Sequence, residues 1–390
     1  MSVPMNAPSR SWLRAADVEV ADLAALAETE TVAADYPFAH SVAKNVLIYD
    51  AQSLPVADRR ADVEVELARA LAEGPGVIVL KGAFADTSVI DEATRAFLSI
   101  IESERAAGGD QGDHFGVPGA NARIWNAQEK LARKAPEVFV DYFANDSIAL
   151  GAQAWLGPGY QMTSQVNLVY PGGKAQEPHR DYHLGFCTDE RAEQYPAHAH
   201  RMSGFLTLQG AVAHCDMPVE SGTTMFLPHS QKYPLGYVAW RNPQVKEYFA
   251  QHMVQLPLDK GDVVYFSPAL LHGAGTNYTS DVQRMANLLQ VSSAFGRAME
   301  SLNRLEMCEI TYPVLAAKMK ESGWSARDTQ NVIAACAEGY SFPTNLDSDQ
   351  PIGGLAPITQ AEVMAAALQR GASADEAIAD LRAQYARTLP

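Results

Sequence analysis

The amino-acid sequence predicts a mainly β fold, with a double-stranded β-helix (jelly-roll) core and flanking helices. Between about residues 160 and 297, short apolar runs alternate with turns rich in Pro and Gly, which is typical of a jelly roll. On either side, apolar residues recur at helical spacing. We therefore expect an N-terminal helical lead-in (residues 1–75), a jelly-roll domain (76–297) and a C-terminal helical extension (298–390).

The N-terminal part carries the weakest signals. One helix is expected around residues 15–30, and a clearer amphipathic helix ends at the Gly-Pro-Gly turn of residues 74–76. An apolar strand follows over residues 77–80, and a further amphipathic helix covers about residues 90–101. Both amphipathic helices should pack against one face of the jelly roll.

The C-terminal extension shows three helix-capping patterns, which begin at Ser325, Thr359 and Ser373. These helices could cover the barrel or pack on a second subunit, and the second arrangement would give a homodimer. We slightly favour the dimer.

Composition restricts the partners. The chain of 390 residues has a net charge of −16, which argues against a nucleic-acid partner because such binding needs a positive surface. No apolar run reaches membrane-spanning length, and residues 1–10 lack the hydrophobic core of a secretory signal. Four widely spaced cysteines show neither metal nor disulfide spacing. We expect a soluble cytoplasmic protein that acts on a small molecule, without a membrane partner.

The strongest chemical signal is His179-Arg-Asp181 followed by His272. The spacing of two places the side chains of His179 and Asp181 on one face of an extended run, and His272 lies where an apolar strand meets a glycine-rich loop. Two imidazoles and one carboxylate can occupy one face of an octahedral Fe(II). These three residues are therefore the candidate metal ligands and the candidate catalytic centre.

A second His-x-Asp sequence, His214-Cys-Asp216, has a different context. It ends an apolar run and leads directly into a turn signal at residues 217–222. We interpret Asp216 as a turn-forming acid and His214 as a residue that does not bind metal.

Arg284 lies in the mostly apolar stretch of residues 283–292. If its guanidinium points inward, it needs an anionic partner, because a buried unpaired charge is very costly. A carboxylate held by two parallel hydrogen bonds is the natural partner.

Residues 76–297 resemble the phytanoyl-CoA dioxygenase-like branch of the Fe(II)/2-oxoglutarate oxygenases, whose core is cupin-like. The likeness is densest in four segments, which are residues 76–84, 179–181, 220–230 and 272–284. The resemblance implies that His179, Asp181 and His272 bind iron. It also implies that Arg284 binds the far carboxylate of the co-substrate 2-oxoglutarate.

The resemblance further implies the reaction. Dioxygen and 2-oxoglutarate would hydroxylate an unactivated C–H bond of a small metabolite, with release of succinate and CO2. Because Asp181 leaves no ligand position for a halide, halogenation is disfavoured, whereas desaturation and cyclisation stay open. Two alternatives are a cupin-type metalloenzyme that does not use 2-oxoglutarate and a non-catalytic jelly-roll binding protein. Arg284 argues against the first, and the intact triad argues against the second.

The sequence departs from the family at two places. Pro-His-Ser-Gln stands at residues 228–231 where Pro-Gly-Ser-His is common, which leaves His229 without an assigned role. Ala274 stands where the family often has a serine, so the hydroxyl contact of 2-oxoglutarate would come from another residue.

Several nearby residues have weaker assignments. Asn167 and Gln165 alternate on a predicted strand, and Asn167 is a candidate to bind 2-oxoglutarate, although both could simply be solvated. His183 continues the face of His179 and could contact substrate or support a ligand. Arg180 should point the other way and form a structural salt bridge.

The glycine-rich residues 107–120 predict either a linker or a lid over the pocket. Within and beside this segment, His114 and Trp125 are candidates for substrate contact.

Overall fold

The computed structural model describes residues 11–108 and 121–390. The strands are β1 (Ser41–Ala43), β2 (Val46–Asp50), β3 (Val77–Lys81), β4 (Asn121–Ile124), β5 (Gln161–Val169), β6 (Thr207–Ala213), β7 (Thr224–Phe226), β8 (Val263–Phe266), β9 (His272–Ala274) and β10 (Arg284–Ser292). The helices are α1 (Val20–Ala27), α2 (Val56–Ala72), α3 (Ser88–Ala106), α4 (Ala127–Lys134), α5 (Pro136–Phe143), α6 (Asp146–Leu156), α7 (Asp189–Ala192), α8 (Ala197–Phe205), α9 (Gly236–Ala239), α10 (Pro243–His252), α11 (Arg304–Lys318), α12 (Ala326–Cys336), α13 (Gln360–Gln369) and α14 (Ala374–Thr388).

Two sheets form the core. The main sheet has the strand order β1-β2-β3-β8-β6-β10-β5-β4, and among the strands of the described residues only β2 and β3 pair in parallel. The shorter sheet pairs β7 with β9, and single bridges from His179 to His272 and from Phe226 to Val254 extend it. The jelly-roll core predicted from the sequence is confirmed. Helices nevertheless make up 45% of the structure and strands 16%, so the predicted β character describes the core and not the whole chain.

The N-terminal region contributes to the main sheet. The sequence predicts a helical lead-in up to residue 75, and α1 and α2 lie within it. However, β1 and β2 also come from this region, and Leu47 of β2 pairs with Ile78 of β3. A short apolar run such as residues 46–49 cannot be assigned to strand or helix from periodicity alone. The sheet therefore begins before residue 76.

The outer face of the main sheet packs against helices. Tyr265 of β8 fills a space that requires glycine on both sides, because a Cβ atom on Gly210 or on Gly151 would clash with its ring. Its hydroxyl donates a hydrogen bond of 2.8 Å to the carbonyl of Ile148. This contact fixes α6 against the sheet.

The C-terminal helices join the same core. Helix α12 contacts β5 and α5, and the buried Met307 and Cys336 belong to the cluster that includes the outer face of the main sheet. The predicted capping boxes at Ser325, Thr359 and Ser373 are all present. The extension therefore covers the helical side of the barrel, and a homodimer remains a prediction. No helix within the described residues has both the length and the apolar character needed to cross a membrane.

Candidate metal centre and its cavity

His179, Asp181 and His272 meet where the two sheets face each other. The backbones of His179 and His272 pair across an antiparallel bridge, with N···O distances of 2.9 and 3.2 Å. One ligand atom from each of the three side chains lies within 4.8 Å of the other two. The Nε2 atoms of both histidines lie 3.4 Å from the Asp181 carboxylate, each beside a different oxygen. The structure thus brings together the three residues that the sequence predicts as metal ligands.

Backbone carbonyls orient both imidazoles. Nδ1 of His179 lies 2.8 Å from the carbonyl of Glu177, and Nδ1 of His272 lies 2.9 Å from the carbonyl of Leu270. Because a carbonyl can only accept, each Nδ1 carries the hydrogen. In the neutral ring, which metal ligation requires, the lone pair of each Nε2 then points into the shared space.

Asp181 is held as a carboxylate. Burial alone would raise its pKa, but the adjacent His179 and His272 outweigh burial and hold the pKa well below its usual value. Burial lowers the pKa of His272, which favours the neutral imidazole that a metal needs. In addition, Nε2 of Gln209 donates a 2.5 Å hydrogen bond to Oδ2 of Asp181. Gln209 was not identified from the sequence, where its only signal is a polar side chain inside the apolar strand β6.

The triad opens into a cavity of about 460 Å³ between the sheets. Alternate residues of β10 divide between its two sides, so that Arg284 and Gln290 line the cavity while Met285 and Leu289 join the outer core. Much of the remaining wall is apolar and includes Phe266 of β8. Such a cavity, mostly apolar with a few convergent polar groups, is typical of a small-molecule site.

Arg284 points into this cavity as an uncompensated cation. Its side chain is 8% exposed, and burial lowers its pKa to about 10. Among the described residues its guanidinium has no hydrogen-bond or ion-pair partner, and Cys215 is the only group that affects its pKa apart from burial. The burial and the missing partner match the anion-binding role that the sequence suggests for this arginine.

Asn167 lines the cavity close to Arg284. It faces Ala286 across the β5–β10 pair, one same-face position along the strand from Arg284. Its Oδ1 is buried and has no hydrogen-bond partner among the described residues. Gln165 also lines the cavity, where it accepts a hydrogen bond from Arg123.

A threonine lies opposite Ala274. In the β7–β9 pair, Thr224 faces Ala274, and both residues line the cavity. Side chains directly opposite in an antiparallel pair share one face, with Cβ atoms about 5 Å apart. Thr224 therefore places a hydroxyl beside the position where Ala274 lacks one.

Aromatic and basic side chains lie on the β4 side of the cavity. The guanidinium of Arg123 stacks over the ring of Trp125 at 4.6 Å, and both residues line the cavity. Trp125 is thus placed where the sequence suggests a substrate contact. His114 and most of the predicted lid, residues 109–120, lie outside the described residues.

His183 is separated from the triad. The backbone turns at Tyr182 and His183, with φ angles of 61° and 42°, and a 3₁₀ helix begins there. The extended run ends as a result, and the Nδ1 of His183 lies 3.4 Å from Ser203 Oγ. The expectation that His183 continues the face of His179 does not match this geometry, because the regular strand that it assumes ends first.

His214 and His229 have other partners. The two ring nitrogens of His214 bond to Thr94 and Tyr142 on the helical side of the main sheet, at 2.8 and 3.0 Å. His229 bonds to Thr31 and Lys232 at 3.0 and 2.8 Å. Both histidines are bonded within the protein, so neither is available to the metal centre.

Arg180 differs from its predicted role. No salt bridge to a described carboxylate forms; instead its Nη2 donates to the carbonyls of Ser230 and Tyr233, at 2.5 and 3.1 Å. The guanidinium also lies 5.2 Å from the ring centre of Tyr237. Sequence spacing gave the direction of this side chain correctly but could not identify its partners, which lie some 50 residues away.

A family model and a curated relative both relate this chain to phytanoyl-CoA dioxygenases. The family model described as phytanoyl-CoA dioxygenase (PhyH) matches residues 72–286. The peroxisomal phytanoyl-CoA dioxygenase of Rattus norvegicus is 30% identical over 135 residues, a match that covers 30% of this chain and 39% of that protein.

Two solved structures are similar to part of this chain. The non-heme alpha ketoglutarate dependent epimerase SnoN from nogalamycin biosynthesis is 19% identical, with 60% of this chain and 82% of that chain covered and a TM-score of 0.43. HygX from Streptomyces hygroscopicus, solved with nickel and 2-oxoglutarate bound, is 14% identical, with 60% and 90% covered and a TM-score of 0.41. Since the PhyH family model matches more than half of the chain, this protein belongs to the phytanoyl-CoA dioxygenase family.

Proposed function

We propose that this protein is an Fe(II)- and 2-oxoglutarate-dependent dioxygenase that hydroxylates an unactivated C–H bond of a small molecule. The observation that carries the proposal is the convergence of four groups on one cavity. His179, Asp181 and His272 offer three ligand atoms, and Arg284 offers a buried cation that has no partner among the described residues.

The donor set fits iron. Two imidazoles and one carboxylate on one side of a cavity match the set that holds Fe(II) in non-heme oxygenases and leaves ligand positions open. Gln209 restricts the rotation of the Asp181 carboxylate, and the two backbone carbonyls restrict both imidazole rings. These hydrogen bonds hold the three ligand side chains in orientations suitable for metal binding before the metal binds.

The polar groups near Arg284 fit 2-oxoglutarate. The guanidinium of Arg284 would bind the far carboxylate of this dicarboxylate through two parallel hydrogen bonds. Thr224 would supply the hydroxyl contact that Ala274 cannot, and Asn167 is placed to make a further polar contact. A bound carboxylate would remove the cost of the buried, unpaired Arg284 charge.

When bound, iron and 2-oxoglutarate would supply the oxidation of a C–H bond by dioxygen, with 2-oxoglutarate converted to succinate and CO2. The chain's own residues hold the reactants and exclude water. Leu258, Val264 and Phe266 form apolar wall, and Asp181 fills the carboxylate position that a halide would otherwise need. We therefore propose hydroxylation rather than halogenation.

The test is substrate-dependent turnover in the reconstituted protein. Metal-free protein is loaded anaerobically with Fe(II), titrated with 2-oxoglutarate while its charge-transfer absorption is followed, and then exposed to dioxygen with panels of small metabolites. We expect a saturable absorption band, and succinate release that one group of metabolites increases. Metal-dependent turnover without the band and without succinate would instead support a cupin-type enzyme that does not use 2-oxoglutarate.

A further inference from the structure

A second cavity lies on the other side of the His179-Arg-Asp181 segment. It encloses about 250 Å³ between α8, residues 230–237 and the end of α2, and it shares no lining residue with the first cavity. Arg180 lines the second cavity, whereas its neighbours His179 and Asp181 line the first. The second cavity is therefore a separate compartment directly behind the candidate metal centre.

Three cations line this cavity, and Glu73, which lies outside the lining, partly offsets the charge of Lys232. Arg180, Arg201 and Lys232 all contribute to the wall, and no Asp or Glu among the described residues does so. Within the described part of the chain, none of the three forms an ion pair. In a protein with a net charge of −16, such local positive charge attracts a small anion.

Arg180 is the buried donor of this group. It is 2% exposed, and its Nη2 is occupied by the two backbone carbonyls described above. Its Nε is buried without a hydrogen-bond partner among the described residues. A Cβ atom on Gly236 would clash with the guanidinium, so glycine at this position makes room for Arg180. A buried charge with an unused donor is costly unless a ligand pairs with it.

Two residues that line the cavity also carry acceptor atoms without a partner among the described residues. The Nε2 of His200 lies 3.0 Å from the carbonyl of Ala192 and donates to it, so the Nδ1 of the neutral ring is an acceptor, and this atom is buried without a partner among the described residues. The same holds for Oε1 of Gln231, whose Nε2 donates to the carbonyl of Gly74 at 2.9 Å. An anion that also carries an O–H group would pair with Arg180 and with one of these two acceptors.

The geometry points to a second binding site for a small hydroxylated oxyanion, such as hydrogen phosphate or a 2-hydroxycarboxylate. Arg180 is its buried anchor, Arg201 and Lys232 supply further positive charge, and one of the two acceptors, on His200 or Gln231, accepts from the ligand's hydroxyl group. This site does not depend on iron, on 2-oxoglutarate or on the proposed reaction.

The experiment measures anion binding to the metal-free, full-length protein by calorimetry at constant ionic strength. Inorganic phosphate and glycolate are titrated separately, which distinguishes a phosphate from a carboxylate ligand, and each is compared with a matched anion without a hydroxyl group, sulfate or acetate. We expect saturable binding of phosphate or glycolate that is at least about tenfold tighter than binding of its matched anion, because the hydroxyl group adds a hydrogen bond.

Variants locate the site. Arg201→Gln combined with Lys232→Gln should weaken binding about tenfold or more, since charge-assisted hydrogen bonds are lost. Lys320→Gln removes one exposed charge elsewhere and should leave the affinity unchanged, as should Arg284→Gln in the first cavity. Thermal unfolding confirms that each variant is folded. Binding that survives the double substitution, or that Arg284→Gln abolishes, would overturn the assignment, as would the absence of saturable binding or equal affinity for the matched anions.

Discussion

The two His-x-Asp sequences of this chain lie on opposite sides of the main sheet, and their histidines have different roles. His214 lies on the helical side, where both ring nitrogens bond to neighbouring side chains. His179 lies on the cavity side, where a carbonyl holds Nδ1 and its Nε2 faces Asp181 and His272. Identical spacing thus gives a structural residue in one case and a candidate ligand in the other.

The polar atoms around each site explain the difference. On the cavity side, Arg284 and the Oδ1 of Asn167 have no partner among the described residues, although both residues are buried. Folding leaves buried polar groups unpaired rarely, because each costs about 1–3 kcal/mol. Several such groups that converge on one open space indicate a ligand, whereas a histidine bonded at both nitrogens indicates packing.

The largest effect should come from the metal ligands. His179→Ala or His272→Ala removes one of three protein ligands, so we expect Fe(II) affinity to fall by more than about 100-fold, beyond the 10–100-fold typical of losing an outer contact. The matched control is His214→Ala, which should retain iron affinity and lose only stability. Calorimetric Fe(II) titration under anaerobic conditions measures both, and unchanged affinity in both ligand variants would refute the metal assignment.

Arg284→Lys tests the other half of the cavity. Lysine keeps the charge but lacks the planar guanidinium, which can form two parallel hydrogen bonds with a carboxylate. The affinity for 2-oxoglutarate should therefore fall by about 1.5–3 kcal/mol, which is roughly 10–150-fold. Iron affinity should stay the same, since Arg284 is not a ligand. The measurement is the charge-transfer titration described above, and equal 2-oxoglutarate affinity in both proteins would remove Arg284 from the site.

His214 should make stability depend on pH. Burial lowers its pKa from 6.5 to about 3. Below pH 6.5, His214 therefore binds a proton in the unfolded chain but stays unprotonated in the folded protein. The free energy of unfolding should therefore fall on acidification, by up to about 1.4 kcal/mol per pH unit for this residue. Denaturant unfolding between pH 7.5 and 5 should show a shallower slope for His214→Gln than for wild type. Parallel slopes would mean that His214 is not protected in this way.

The smallest expected effect concerns Thr224. Thr224→Val removes the hydroxyl opposite Ala274 and should weaken 2-oxoglutarate binding by about 0.5–1.5 kcal/mol, the typical value of one neutral hydrogen bond. Adding Ala274→Ser to this variant should restore the affinity, because the serine hydroxyl would enter the same space from the neighbouring strand. A double variant no better than Thr224→Val would place the hydroxyl contact elsewhere.

The sequence by itself determined the features that depend on local spacing. Alternation of side chains along an extended run placed His179 and Asp181 together and sent Arg180 to the other side. Apolar runs separated by turns identified the jelly roll, and capping patterns identified the starts of three C-terminal helices. Each of these signals involves residues only a few positions apart.

Only the tertiary structure decided the contacts that join distant segments. Strand register placed Thr224 opposite Ala274 and Asn167 beside Arg284, and Gln209 reaches Asp181 from another strand. The partners of Arg180 and the entry of β2 into the main sheet likewise depend on which segments pair. The physical reason is that periodicity fixes which face a side chain occupies, whereas the group it meets there depends on the alignment of strands far apart in the chain.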